Sequence, residues 1–520
     1  MATRLSLKPR ALRIRGGCPQ GGLGFCSPRR QYASATHPPF AFTWLTKSPE
    51  AVNPHDILSS IPSLQTFQYT SNPVPLLLVT PKFAHWLNSP HEFLRHLVQN
   101  VYTGASRADR IYAVAAVVDK IPSPSTPIEG GSTESTAGNA SESEGLSLLV
   151  IGEQDIRGKP VPPRRFGGPA DEETDLSFSF RKDQTSRGSA DGAYQVGLRL
   201  ANTIFVNGKE STLFGMQWQF DKTSDSFTLD RTIDLTSCAI TSPNASGSIR
   251  PRVTLPLHPI GERKRVLASM GNILRQISKS TDPASNDPIP ASSDLEKILP
   301  QYIKDHNVSD HRVSVWALVG KPHVKVTDSS LSTREYLAES LRQGGKLHRV
   351  VSGGGGWGKK QGLLSLDPEV CFFGSANRGT LPGLEEIFNP GENANSNIAA
   401  LSAESLVGDD LSLLSQVATS GDYIQFFVAR DPSEIHDESS LDLQSVASNV
   451  TFTFGMVSHL EESSPADASS EKTDLEFVPN VFGALSEKAI SFNQPVAAAE
   501  GSSESSTKLN ISGCRVRLGW

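Results

Sequence analysis

No apolar run in this sequence approaches the ~20 residues that a membrane-crossing helix needs. The longest lies near IYAVAAVV (111–118), so a soluble chain is expected, with no transmembrane segment. Cysteine is scarce. Cys18 and Cys26 sit in a basic leader, while Cys238, Cys371 and Cys514 are far apart with no C-x-x-C, which leaves neither a disulfide framework nor a zinc pattern. His85, His91 and His96 cluster, but His91 and His96 are five apart and do not share a helix face as paired metal ligands would. There is no G-x-S-x-G; ASMGN (268–272) is not a nucleophile elbow, and Cys371 in EVCFFG reads as a core cysteine. Acidic residues are missing altogether before Glu50, whereas Arg4, Lys8, Arg10, Arg13, Arg15, Arg29 and Arg30 crowd residues 1–32. An Arg-rich, acid-poor start without an apolar core has the composition of a mitochondrial transit peptide and not of a secretory signal. RQYAS (30–34) places Arg30 two residues before a cut after Tyr32, so a matrix location is expected. The formal net charge is −6, and residues 1–32 hold seven positive charges and no negative one, so the remainder carries −13. Such a chain does not favour polyanions globally, and a nucleic-acid role would need a local basic patch.

What is present is a set of strand- and helix-like blocks separated by polar stretches. PSPSTPIEGGSTESTAGNASESEG (122–145) and much of 157–192, 280–291, 391–398, 431–448, 461–473 and 494–507 have the composition of disordered inserts. VPLLLVTP (74–81) and RIYAVAAVVDKI (110–121) read as buried strands around the helix SPHEFLRHLVQNVY (89–102). Ser89, Pro90 and Glu92 give that helix its start, and Leu94, Leu97, Val98 and Val101 its apolar stripe. This is a strand–helix–strand unit, expected to be parallel, with LSLLVIG (146–152) as a neighbouring strand. Two strands around Asn207-Gly208 (195–220) predict a hairpin. ERKRVLASMGNILRQISK (262–279) predicts an amphipathic helix with Val266, Met270, Ile273 and Ile277 on one face. A short helix is expected from Ser293, with Glu296 as box partner, to about Lys304.

A second strand–helix–strand unit follows: RVSVWALVG (312–320), STREYLAESLRQGG (332–345) with a Ser332–Glu335 capping box and a stop at Gly344, then KLHRVVS (346–352). GDYIQFFVA (421–429), NVTFTFGMV (449–457) and CRVRLGW (514–520) add strands. The fold class is thus α/β or α+β, with mixed sheets, strand–helix–strand units and several disordered inserts. The expected domains are a transit peptide (1–32), an N-terminal α/β domain (40–220) and a C-terminal α/β domain (250–460) with a glycine-rich loop. A largely disordered stretch (461–507) and a final strand (508–520) complete the chain.

The glycine-rich loop is the best candidate site. In SGGGGWGKK, Gly353, Gly358 and Lys359 satisfy G-x-x-x-x-G-K, yet Lys360 stands where a hydroxyl residue should hold magnesium. A phosphate loop also needs a following helix, and Gly362 and Pro368 leave little room for one. The remaining chemistry is an amide-rich loop at the C-terminal end of a strand, where open α/β sheets bind ligands. Gly353, Gly354, Gly355, Gly356 and Gly358 can offer amides to an anion. Trp357 can stack on a ring, Lys359 and Lys360 can pair with phosphate, and His348 and Arg349 precede the run. A packing role, with Trp357 filling a gap, is the competing reading. No catalytic residue, metal ligand or cofactor is assigned.

SGGGGWGKKQGLLSLDP (352–368), together with LANTIFVNG (200–208) and PLHPIGERKRVLASMGNILRQI (256–277), resembles an uncharacterised family of fungal mitochondrial proteins. That resemblance implies a mitochondrial setting and carries no catalytic residue. The order strand, helix, strand, strand over 74–152 is loosely similar to FIST sensory domains, which implies a small ligand such as an amino acid. The leading expectation is a matrix accessory or assembly factor for gene expression or respiratory-complex biogenesis. It would bind a protein or ribonucleoprotein partner through the loop. A small anionic ligand is the first alternative, and an enzyme with a nucleotide or phosphorylated cofactor the second.

Overall fold

The structure is a computed structural model. It describes residues 40–61, 72–88, 92–102, 109–123, 142–161, 173–182, 193–201, 203–204, 208, 212–245, 251–282, 286–308, 313–321, 332–353, 362–369, 381–390, 416–429, 450–458, 474–498 and 501–519. In chain order these form β1 (Phe40–Thr46), α1 (Pro54–Ser60), β2 (Pro73–Val79), α2 (Ala84–Asn88), α3 (Phe93–Tyr102), β3 (Arg110–Val117), β4 (Ile121–Pro122), β5 (Glu142–Gly152), β6 (Ile156–Pro160), β7 (Asp175–Lys182) and β8 (Ala193–Arg199). Next come β9 (Leu213–Asp221), β10 (Ser226–Ala245), β11 (Pro251–Thr254), β12 (Leu257–Met270), β13 (Ile273–Ser278), β14 (Pro288–Pro290), α4 (Ala291–Asp305), β15 (Val315–Gly320), α5 (Thr333–Arg342), β16 (Lys346–Gly353), β17 (Leu364–Leu366) and α6 (Leu384–Phe388). The last are β18 (Tyr423–Ala429), β19 (Thr451–Met456), β20 (Glu476–Pro479), β21 (Val481–Ser486), β22 (Ile490–Ala498), β23 (Gly501–Lys508) and β24 (Arg515–Gly519).

The fold is a strand-rich α+β arrangement of mixed sheets. A 13-stranded sheet runs β20-β1-β5-β2-β3-β9-β10-β7-β8-β22-β23, with β4 on β5 and β6 on β10. A 4-stranded sheet runs β11-β24-β19-β21. The third runs β12-β18-β15-β16-β17-β13-β14 and closes, because β12 also pairs β13. All pairings round that ring are antiparallel, so β12, β18, β15, β16, β17 and β13 make a barrel, which leaves the ring itself no open edge.

Period-two alternation distributes the side chains among three cores. On β2, Leu77 and Val79 pack with α1–α3, whose buried residues include Ile57, Leu94, Leu97, Val98 and Val101. Leu76 and Leu78 face the other way, into a core shared by all three sheets. The barrel strands divide likewise: Trp316, Leu318 and Phe427 face that shared core, while Val315, Ala317, Val319, Ile424, Phe426 and Val428 pack with Ala291, Leu295 and Tyr302 of α4. Among the described residues no helix is long and apolar enough to cross a membrane.

Several expectations hold. β2 and β3 are parallel, joined through α2 and α3, and β5 lies beside β2. Ser332 and Glu335 form the capping box of α5, and Gly344 follows its end at φ 88°. Others are corrected. Residues 262–279 are not a helix but the hairpin of β12 and β13, turned at Gly271 (φ 59°), with Val266 paired to Ile277 and Met270 to Ile273. The four apolar positions sit symmetrically about the turn, and that mirror symmetry imitates helical spacing. β8 and β9 exist, but they do not pair with each other: β8 joins β7 and β22, and β9 joins β3 and β10. Asn207 lies outside the described residues. α4 begins at Ala291, before Ser293, and it is Ser292 Oγ that bonds Glu296, at 2.8 Å.

The expected polar inserts also carry strands. β6 and β7 fall within 157–192 or at its edge, and β20 to β23 fall largely within 461–507. DLSFSFRK shows the reason: its serines lower the mean hydropathy, yet Leu176, Phe178 and Phe180 alternate into the shared core. β10 (Ser226–Ala245) fills the interval between the two expected domains, and β20 and β22, from the stretch expected to be largely disordered, pair with β1 and β8. Residues from Thr36 to Trp520 form one compact unit.

Candidate functional site

β16 and β17 are the stems of the glycine-rich segment. Ser352 pairs with Ser365 and Gly353 with Leu364, beyond a bulge between Val350 and Ser352. A Cβ on Gly353 would run into the Leu364 side chain. The returning end is fixed as well. Gly362 has φ 85°, and a Cβ there would lie 2.7 Å from Pro290 Cβ, so glycine is required by both conformation and contact. Its carbonyl accepts a bond from Ser292 N–H at 3.2 Å in the first turn of α4. The chain therefore leaves one barrel strand and re-enters the next against a helix from elsewhere in the sequence. The expected setting changes accordingly: β15 and β16 are antiparallel despite the intervening helix α5, so the rule for carboxyl ends of parallel strands does not apply. The segment leads into strand β17, not into a helix of its own.

Of the sequence-predicted residues, His348, Arg349 and Gly353 are described; Gly354, Gly355, Gly356, Trp357, Gly358, Lys359 and Lys360 lie outside the described residues. His348 and Arg349 do not converge. His348 pairs with Ala317 and is 2% exposed, whereas Arg349 is exposed. The imidazole Nδ1 lies 2.8 Å from the Asp367 carbonyl oxygen. A carbonyl only accepts, so Nδ1 carries the proton and Nε2, buried and without a partner among the described residues, holds a lone pair. Burial, with the Lys346 ammonium adding to it, pushes the His348 pKa down to about 4. The ring is neutral at physiological pH and belongs to the barrel wall.

The sign of that shift gives a test. The unfolded histidine binds its proton near 6.5 and the folded one near 4, so this stabilising contribution is whole above pH 6.5 and is lost as the pH falls toward 4. Between pH 7 and pH 4 the wild type should lose about 3 kcal/mol relative to His348→Leu. Urea unfolding of both proteins at the two pH values reads this directly, and a constant difference would refute it.

Below the stems runs a line of alternating charges that the sequence did not reveal. Lys508 bonds Glu369 and lies 3.4 Å from Asp367; Arg199 lies 3.7 Å from Glu369 and pairs with Glu173. Together with the bond from Leu347 N–H to Thr507 Oγ1 at 2.9 Å, it ties the barrel to β8 and β23. Lys508 and Asp367 are 141 residues apart, and no local pattern announces them. Asp119, two residues past β3, accepts Glu487 N–H at 2.8 Å, and burial raises its pKa to about 6. The Cys238 and Cys514 thiols are buried and pushed up to about 12 and about 11, so neither is a ready thiolate. Cys371 lies outside the described residues. No protein-family model, no curated protein and no solved structure matches the chain.

Proposed function

We propose that the protein is a mitochondrial matrix accessory or assembly factor, serving gene expression or respiratory-complex biogenesis. It acts by binding, with the segment 353–360 between β16 and β17 as its contact. The observation that carries this reading is the anchoring of that segment. The stems on β16 and β17 are paired and Gly362 is set against α4, and connections between packed elements are where recognition residues are commonly carried. The Arg-rich, acid-poor leader supports the compartment.

The test is affinity purification of the full chain from mitochondria, with and without nuclease, beside a Lys359→Ala/Lys360→Ala variant. Recovered partners should fall at least several-fold in the variant. Nuclease sensitivity, with salt-dependent co-sedimentation with mitochondrial ribosomes, would identify a ribonucleoprotein partner. Partner recovery equal in wild type and variant would sink the loop as the contact. Amino-terminal sequencing of the matrix form should begin at Ala33.

A further inference from the structure

The opposite end of β16 holds a second, independent arrangement. Lys346 opens the strand directly after α5 and pairs in register with Val319 of β15. It is half-buried, with neither an ion pair nor a hydrogen bond among the described residues. Burial holds its pKa below the ordinary lysine value, and the ionic neighbour that acts on it, Lys321, has the same sign and adds to the effect.

Lys321 is not free to relieve it. Its ammonium lies 3.2 and 3.1 Å from the two carboxylate oxygens of Asp422. Asp422 is 3% exposed and is itself held by Thr419 N–H and Oγ1, each at 2.8 Å. The Arg263 guanidinium, 4.5 Å over the Tyr423 ring, belongs to the other face of the sheet, because Tyr423 pairs with Gly320 and Ile424 with Val319. Lys346 pairs with Val319 of β15, with Lys321 two residues beyond it; the neutral His348 shares its face of β16, and Asp422, which directly precedes β18, holds Lys321. The one buried carboxylate among them is already committed to Lys321.

A half-buried ammonium without a counter-charge is unfavourable, and a like-charged neighbour makes it worse. Groups perturbed by burial together with a like charge cluster at functional sites. We propose that Lys346 and Lys321 form a binding site for a small oxyanion, the phosphate or carboxylate group of a metabolite. The two lysines stand diagonally across neighbouring strands, about 7–8 Å apart at their bases, and each offers three rotatable donors. That spacing suits one oxyanion between the two ammonium groups and gives too little basic surface for a polyanion.

Thermal unfolding of the full chain in inorganic phosphate, in citrate and in chloride at equal ionic strength tests this. Phosphate or citrate should raise Tm saturably, by about 2 °C at high occupancy. Lys346→Met should abolish the rise, Lys321→Met should weaken it, and Lys279→Met, at an exposed position, should leave it intact. In chloride, Lys346→Met should unfold at or above the wild-type temperature, because it removes an unpaired charge; this shows that the variant is folded. Equal Tm in all three salts, or a full response in Lys346→Met, overturns the site. Neither outcome bears on the segment 353–360.

Discussion

Arg515→Met is expected to destabilise the protein by about 3–5 kcal/mol. Arg515 is 3% exposed on β24 and donates from Nη1 to the Met456 and Cys514 carbonyls at 2.5 and 2.8 Å. Its Nη2 lies 2.7 Å from Glu142 Oε1, which also accepts Ser458 N–H and Oγ–H at 2.7 Å each. Removing the guanidinium leaves two carbonyls and a carboxylate, 15% exposed, without their donor. The cost comes mainly from that stranded carboxylate, so adding Glu142→Leu to Arg515→Met should recover part of the loss. By contrast, Lys222 and Asp109 form an ion pair 3.2 Å apart with both side chains 77% exposed, and Lys222→Met should scarcely register. Urea midpoints of the four proteins check the order. A single Arg515→Met variant as stable as wild type would show that Glu142 is well solvated.

Phe454→Ala is expected to cost a similar amount, about 3–5 kcal/mol. The Phe454 ring is fully buried on β19 and stacks on Phe178 of β7 at 4.5 Å between centroids, so one side chain joins the 4-stranded and 13-stranded sheets. Truncation removes apolar burial and opens a cavity in a core that three sheets share. Phe477, 37% exposed beside Phe42 and Trp44, should lose far less on the same change. A double-mutant cycle with Phe178→Ala should return a coupling of about 0.5–1.5 kcal/mol; additive losses would mean that the rings do not act on each other.

The readable elements were those in which local pattern and tertiary role coincide. PVPLLLV can only be buried on both faces, and β2 is; the α3 stripe at 94, 97, 98 and 101 faces its core. Residues 262–279 form a hairpin and not a helix because Gly271-Asn272 turns the chain and Val266, Ile273 and Ile277 are β-branched, while the spacing of the four apolar residues fits both. β22 and β23 carry little strand signal because Ser, Asn and Gln replace much of the apolar alternation; Ser491 and Asn493 are nonetheless fully buried. At the candidate site, alternation along KLHRVV separates His348 from Arg349, and that much is legible in six letters. The isolation of Lys346 is not, because it depends on Asp422, 101 residues beyond Lys321, having already taken the other lysine.

The sheet orders also constrain the sequence of events by which the chain acquires its structure. β1 is flanked by β5 and β20, β8 by β7 and β22, and β19 by β21 and β24. A polypeptide emerging amino terminus first, from a ribosome or a translocation channel, therefore waits for its last strands with β1 and β8 each offering an unpaired edge. Such edges are templates for pairing with other chains, and contacts so distant in sequence form slowly. The chain is open to such pairing until residues 476–519 arrive, and a chain cut after residue 458 should aggregate where the full chain does not.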